Sequence, residues 1–152
     1  MDSLETIRAA YARLIASIAG VPDDPRLIEA FAAVPREKFI GPGPWKVVTR
    51  NAYVSVDANI PSFLYQDFPV ALDPARQINN GQPSLHARCF AAMQIQAGEK
   101  VVHVGAGTGY YTALIARLVG PGGSVIGYEL DSALAERAAA NLMEFPNVKV
   151  RN

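Results

Sequence analysis

The 152-residue chain has one cysteine, Cys89, one tryptophan, Trp45, and two histidines, His86 and His103. A single cysteine excludes an internal disulfide. With two histidines beside it, a Cys/His structural zinc site lacks ligands. Charge is sparse at 18% of residues, and 14 basic side chains balance 14 acidic ones. A net-neutral chain has no overall attraction for nucleic acid or anionic lipid. Long apolar runs are missing too. No stretch approaches the roughly eighteen consecutive apolar residues of a membrane-spanning helix. Near the N-terminus Asp2, Glu5, Arg8 and Arg13 interrupt the apolar positions, which a secretory signal does not tolerate. These absences lead us to expect a cytoplasmic protein that binds neither nucleic acid nor membrane.

Hydrophobic residues make up 50% of the chain, enough for a core. Leu4, Ile7, Tyr11, Leu14, Ile15 and Ile18 recur at helical spacing, with Asp2 or Ser3 as cap and Gly20 and Pro22 as the stop. Asp24 and Pro25 open a second helix through Leu27, Ile28, Phe31 and Ala32, which Pro35 ends. Prolines and glycines then dominate residues 41–82 and break any long helix. Short β-type runs survive at Tyr53–Val56 and Phe68–Leu72, enough for one hairpin. Pro83 opens a third helix through Leu85, Cys89, Phe90 and Met93, running to about Ile95.

From Lys100 the pattern alternates. Val101–Val104 reads as a strand, Tyr110–Val119 as a helix and Ser124–Tyr128 as a strand. Ser132–Met143 follows as a helix and Val148–Val150 as a strand. A βαβαβ run implies a parallel sheet with right-handed crossovers, hence an α/β fold. We divide the chain into a helical and loop cap, 1–98, and a βαβαβ cofactor-binding half, 99–152, within one structural domain.

The first predicted strand runs directly into Gly105-Ala106-Gly107-Thr108-Gly109, and a helix follows at once. Glycines there allow a tight turn and close backbone approach to a ligand, and the helix start offers free N–H groups. Glu129 ends the second strand, twenty positions after Gly109. A carboxylate at that place in a nucleotide-binding βαβ unit accepts hydrogen bonds from ribose hydroxyls. The spacing is G-x-G-x-G rather than the dinucleotide G-x-G-x-x-G, which disfavours a nicotinamide oxidoreductase. No Lys or Arg lies between Gly105 and Ala116, so a phosphate cradle of the Walker type is excluded. A neutral loop suits a ligand without phosphates, such as S-adenosylmethionine.

Gly105 to Gly109 followed by Glu129 resembles the first motifs of S-adenosylmethionine-dependent methyltransferases with the Rossmann-like fold. Val34-Pro35-Arg36-Glu37-Lys38-Phe39, then Tyr65-Gln66-Asp67-Phe68-Pro69-Val70, then Gln82-Pro83, narrow the resemblance. Their order and spacing are similar to those of protein-L-isoaspartate O-methyltransferases, across residues 24–151. The resemblance implies S-adenosyl-L-methionine as cofactor and a protein or peptide carboxylate as acceptor, in protein repair. It also departs in two places. Where the family usually has Gly-x-Gly-Gln-Thr-Ile-Ser-x-Pro, this chain reads Asn79-Asn80-Gly81-Gln82-Pro83, so Gly81 stands for the serine. His103 stands where the family usually has Asp or Glu. A methyltransferase with another acceptor, or a non-catalytic binding module, therefore remain alternatives.

The candidate cofactor site comprises Gly81, Gln82, His86, Gly105, Ala106, Gly107, Thr108, Gly109, Glu129 and Leu130. No catalytic residue and no metal ligand is assigned. His86 reads equally as a cofactor neighbour or as an ordinary helix histidine, and His103 as a buried, hydrogen-bonded one. Tyr110 and Tyr111 suit either cofactor or helix packing. Cys89 reads as core, Arg36, Glu37 and Lys38 as a solvated turn, and Trp45 as a packing anchor. The resembling fold has seven strands, whereas this chain ends after its third. We therefore expect a fold truncated after the third strand, or an open sheet edge covered by the N-terminal region or by another chain, as in a homo-oligomer.

Overall fold

The structure is a computed structural model that describes residues 3–50, 52–56 and 60–152. Asp2, one of the two expected caps, lies outside the described residues. Helix α1 spans Leu4–Ile18, and the Ser3 hydroxyl caps it by accepting from Thr6 N at 3.2 Å. Helix α2, Pro25–Ala33, starts as its sequence dictates, with Asp24 Oδ1 accepting from Leu27 N at 3.0 Å. A short helix α3 follows at Arg36–Ile40. Strands β1 (Trp45–Val48) and β2 (Tyr53–Val56) pair antiparallel, as do β3 (Ala71–Asp73) and β4 (Ile78–Asn79). The loop-rich region thus holds two small hairpins rather than one. Helix α4 spans Pro83–Met93.

The remainder is β5 (Lys100–Val104), α5 (Tyr110–Val119), β6 (Ser124–Tyr128), α6 (Ser132–Asn141) and β7 (Val148–Arg151). The three strands form a parallel sheet in the order β5-β6-β7, the α/β arrangement that the alternating pattern implies. Val101, Val148 and Val150 face the main hydrophobic cluster, which also takes in Tyr11, Ile15, Phe31, Phe39, Tyr110 and Leu114. A single core therefore joins α1 and α2 to the helix-covered face of the sheet. The other face is open, with Val102 59% and Val104 79% exposed. Among the described residues no strand pairs with the outer edge of β5, and the N-terminal region supplies none. No helix among them is long and apolar enough to cross a membrane.

Several side chains sit differently from the sequence reading. Leu14 and Ile18 are exposed, while Tyr11, Ala12, Ile15 and Ala16 form the buried stripe of α1. On α4 the core face is Ser84, Ala87 and Phe90. Leu85, Cys89 and Met93 point outward, so Cys89 is an exposed thiol and not core. Arg36 is no solvated residue either, being completely buried. Trp45 is the anchor expected of it, buried and donating from Nε1 to Gly41 O at 3.0 Å.

Candidate functional site

The glycine loop turns over the end of β6, where Gly105 N and Ala106 N both donate to Tyr128 O at 2.8 and 2.9 Å. Gly109 caps α5 with φ of +97°. A Cβ there would lie 2.7 Å from Leu142 Cδ1, so the third glycine lets α5 close against the end of α6. The Glu129 carboxylate folds under the loop. Its Oε2 accepts from Gly107 N at 2.7 Å and its Oε1 from Asp131 N at 2.9 Å. Each oxygen keeps a lone pair for a further donor.

A second wall comes from the segment before α4. Gly81 has φ of +75°, and a Cβ on it would lie 2.4 Å from His86 Cε1. The His86 ring stacks on Tyr111 with centroids 3.5 Å apart, and Tyr111 Oη donates to Gly81 O at 3.0 Å. His86 Nδ1 lies 3.0 Å from the carbonyl of Gln82, which makes it the donor and leaves Nε2 as an acceptor. Asp67 holds the start of α4, taking Ser84 N at 2.8 Å, Ser84 Oγ at 2.7 Å and Gln82 Nε2 at 2.8 Å. Asp67 in turn lies on a segment gripped by Arg36, whose guanidinium donates to the carbonyls of Leu64, Gln66 and Phe68.

Between these walls lies a cleft of about 190 Å³, and the β3–β4 hairpin covers it by laying Leu72 close to Gly107. Of the expected residues, Gly81, His86, Gly105, Ala106, Gly107 and Thr108 line it. Gln82, Gly109, Glu129 and Leu130 do not. Glu129 reaches it through Gly107 N, and Leu130 is 96% exposed. Sequence reasoning missed Leu72, Asn79 and Asn80, which complete the lining. Polar residues just before a helix-starting proline were the available signal. Tyr111 also lines the cleft. Tyr110, although it borders the cleft, is packed edge-on against Phe31 and Phe39 in the core.

The electrostatics are those of a neutral donor–acceptor site. No Lys or Arg lines the cleft. Burial lowers the pKa of His86, and burial together with neighbouring His86 lowers that of His103 to about 4. His103 sits on β5 with Nδ1 2.8 Å from Thr112 Oγ1, hydrogen-bonded as expected but half-buried rather than buried. A larger hollow of about 750 Å³ opens between α2, the end of α5 and residues 144–147. Its two arginines are already engaged, Arg26 with Leu118 O and Arg117 with the Phe145 ring. The glycine-loop cleft, with free acceptors and backbone donors converging on it, is the better candidate.

A family profile described as "Protein-L-isoaspartate(D-aspartate) O-methyltransferase (PCMT)" matches residues 13–151. The chain belongs to this family. A family member from Aeropyrum pernix, a protein-L-isoaspartate O-methyltransferase, is 34% identical over 137 residues, covering 89% of this chain and 46% of its own. One from Rhodopseudomonas palustris, protein-L-isoaspartate O-methyltransferase 1, is 31% identical over 155 residues, covering 99% of this chain and 54% of its own. A solved protein-L-isoaspartate O-methyltransferase superposes on 94% of this chain and 41% of its own with a TM-score of 0.72 and 26% identity. A putative family member from Plasmodium falciparum, solved in complex with S-adenosyl-L-homocysteine, gives a TM-score of 0.67 at 20% identity over 95% of this chain and 62% of its own. That match speaks to the fold, which is Rossmann-like. The chain spans about half the length of the curated relatives it matches.

Proposed function

We propose that this chain is the cofactor-binding part of a cytoplasmic S-adenosylmethionine-dependent methyltransferase that acts on isoaspartyl carboxylates of damaged proteins. The observation that carries the reading is the neutral glycine loop closed on the Glu129 carboxylate, in a chain of this family. The residues suit the cofactor's chemistry. Glu129 keeps lone pairs for ribose hydroxyls, and the walls offer no cation to a phosphate. In this reading Gly105 to Thr108, Gly81 and His86 surround the cofactor, and Gln82, Gly109 and Leu130 border it.

The cofactor supplies an already activated methyl group. The protein then has to position the acceptor and exclude water. A carboxylate acceptor with a pKa of about 4 is ionised at neutral pH, so no side chain need act as general base. One observation favours a second reading, a different acceptor. Gly81 takes the place of the family's serine, and the His86 ring leaves no room for a side chain there.

Calorimetric titration with S-adenosylhomocysteine tests the cofactor reading. Micromolar binding is the expected outcome, and no heat at millimolar ligand overturns it. Methanol release after incubation with an isoaspartyl peptide separates the two acceptors.

A further inference from the structure

Asn80 closes the β3–β4 hairpin and is fixed from two sides. Its backbone N donates to Val70 O at 3.0 Å, and its Oδ1 accepts from Val70 N at 2.8 Å. A backbone N–H can be met only by the oxygen of the amide, which settles which way the amide points. Nδ2 is therefore the free end. It is buried and has no hydrogen-bond partner among the described residues, although Asn80 lines the cleft beside Gly81, His86 and Gly107. Thr108 Oγ1, on the glycine loop, is likewise buried without a partner. Unpaired buried donors are rare in folded proteins and call for a reason.

We infer that Asn80 Nδ2 is the donor that receives a ligand carboxylate in this cleft. The inference rests on the methyltransferase reading. With no Lys or Arg in the lining, an anionic ligand group must be met by uncharged N–H donors, and an amide held rigid by Val70 is pre-oriented for that task. Two carboxylates meet the description, that of the cofactor's amino-acid end and that of the methyl acceptor. Both present the same chemistry to Nδ2.

The test is calorimetry on the full chain and on Asn80→Asp. This variant keeps the oxygen toward Val70 N and turns the donor into an anionic acceptor. The ligands are S-adenosylhomocysteine, 5′-methylthioadenosine, which lacks the carboxylate, and an isoaspartyl peptide added to the cofactor-loaded protein. If the cofactor's carboxylate is held, N80D weakens S-adenosylhomocysteine by about tenfold or more and leaves methylthioadenosine within about twofold. If the acceptor's carboxylate is held, only peptide binding falls by that factor. Equal weakening of S-adenosylhomocysteine and methylthioadenosine, or no change in any ligand, overturns the inference. Wild-type protein that binds neither nucleoside overturns the methyltransferase reading itself, before any variant is compared. Should N80D not melt cooperatively, Asn80→Ser replaces it with the same expectations, since it keeps an oxygen but lacks Nδ2.

Discussion

Arg76 and Asp131 meet at the edge of the glycine loop, Nη1 to Oδ2 at 2.5 Å. Arg76 also holds Asp73 in its own turn, so the β3–β4 hairpin is tied to the start of α6. Both partners face solvent, where such a pair contributes little to stability. Its effect is expected instead on how readily the hairpin over the cleft opens to a ligand. At about 190 Å³ the cleft is smaller than the roughly 300–1,000 Å³ of ordinary ligand sites, so ligand entry is expected to displace the hairpin.

R76A is therefore expected to leave the melting temperature nearly unchanged and to speed dissociation of S-adenosylhomocysteine in stopped flow. Salt at about 0.5 M should speed dissociation from the wild type and not from R76A. D131N should match R76A, because asparagine still caps α6 through Leu134 N. D131A should in addition lower the melting temperature. Identical dissociation rates in all four proteins would remove the hairpin tie from the account.

Arg36 supplies the second prediction. It is completely buried, and its guanidinium meets three carbonyls of the 64–68 segment. Truncation to alanine leaves those carbonyls unpaired as well as a cavity. Each unpaired buried group costs about 1–3 kcal/mol, so R36A should lose at least about 3 kcal/mol in urea denaturation. That is a large share of a typical total of about 5–15 kcal/mol. R36K, with one compact donor head in place of a fork, should fall between the two. A loss below about 1 kcal/mol for R36A would mean that the segment is held by its apolar contacts instead.

The same residue marks where the sequence stopped being readable. Glycines and short apolar runs bound α5 and β6, so both elements fall where local pattern places them. Arg36 directly precedes Glu37 and Lys38, and a triplet of charges reads as solvated. It is buried because carbonyls about thirty positions away converge on it, a long-range fact with no local mark. Helix α4 misled for a related reason. Leu85, Cys89 and Met93 form an apolar row, yet Ser84, Ala87 and Phe90 face the core, and only the neighbours decide between rows. Around the cleft, the glycine loop and the Glu129 carboxylate bonded beneath it were legible from spacing. Asn80 was not, since its meaning depends on Val70, ten positions earlier and just before β3.

A third prediction separates two glycines of the loop. Gly105 has φ of +79° with open space where a Cβ would stand, so G105A should cost only the conformational strain of about 1–3 kcal/mol. At Gly109 the same strain is joined by a Cβ 2.7 Å from Leu142 Cδ1 and 3.1 Å from its Cγ. Overpacking adds about 1–3 kcal/mol more. L142A should recover part of that second loss, so the two changes are expected to couple favourably in a double-mutant cycle. Additive losses would show that the glycine serves backbone geometry alone.

The last prediction concerns pH. The folded pKa of His103 lies near 4, held down first by burial and then by neighbouring His86, against a usual value of 6.5, with Glu129 acting in the opposite direction. Above pH 6.5 the ring is neutral folded and unfolded, so it adds no pH dependence. Between pH 6.5 and about 4 the unfolded chain takes up a proton that the folded chain refuses. Stability therefore falls as pH drops through that window, and the loss levels off below about pH 4. The full loss is about 3 kcal/mol. His103→Gln should flatten most of this slope in urea titrations at pH 7, 6, 5 and about 4. His86, which burial also shifts downward, should leave a smaller slope in the same direction that His86→Gln removes. An unchanged slope in H103Q would mean that the ring is solvated enough to titrate normally, and would withdraw the neutral imidazole from the edge of the glycine loop.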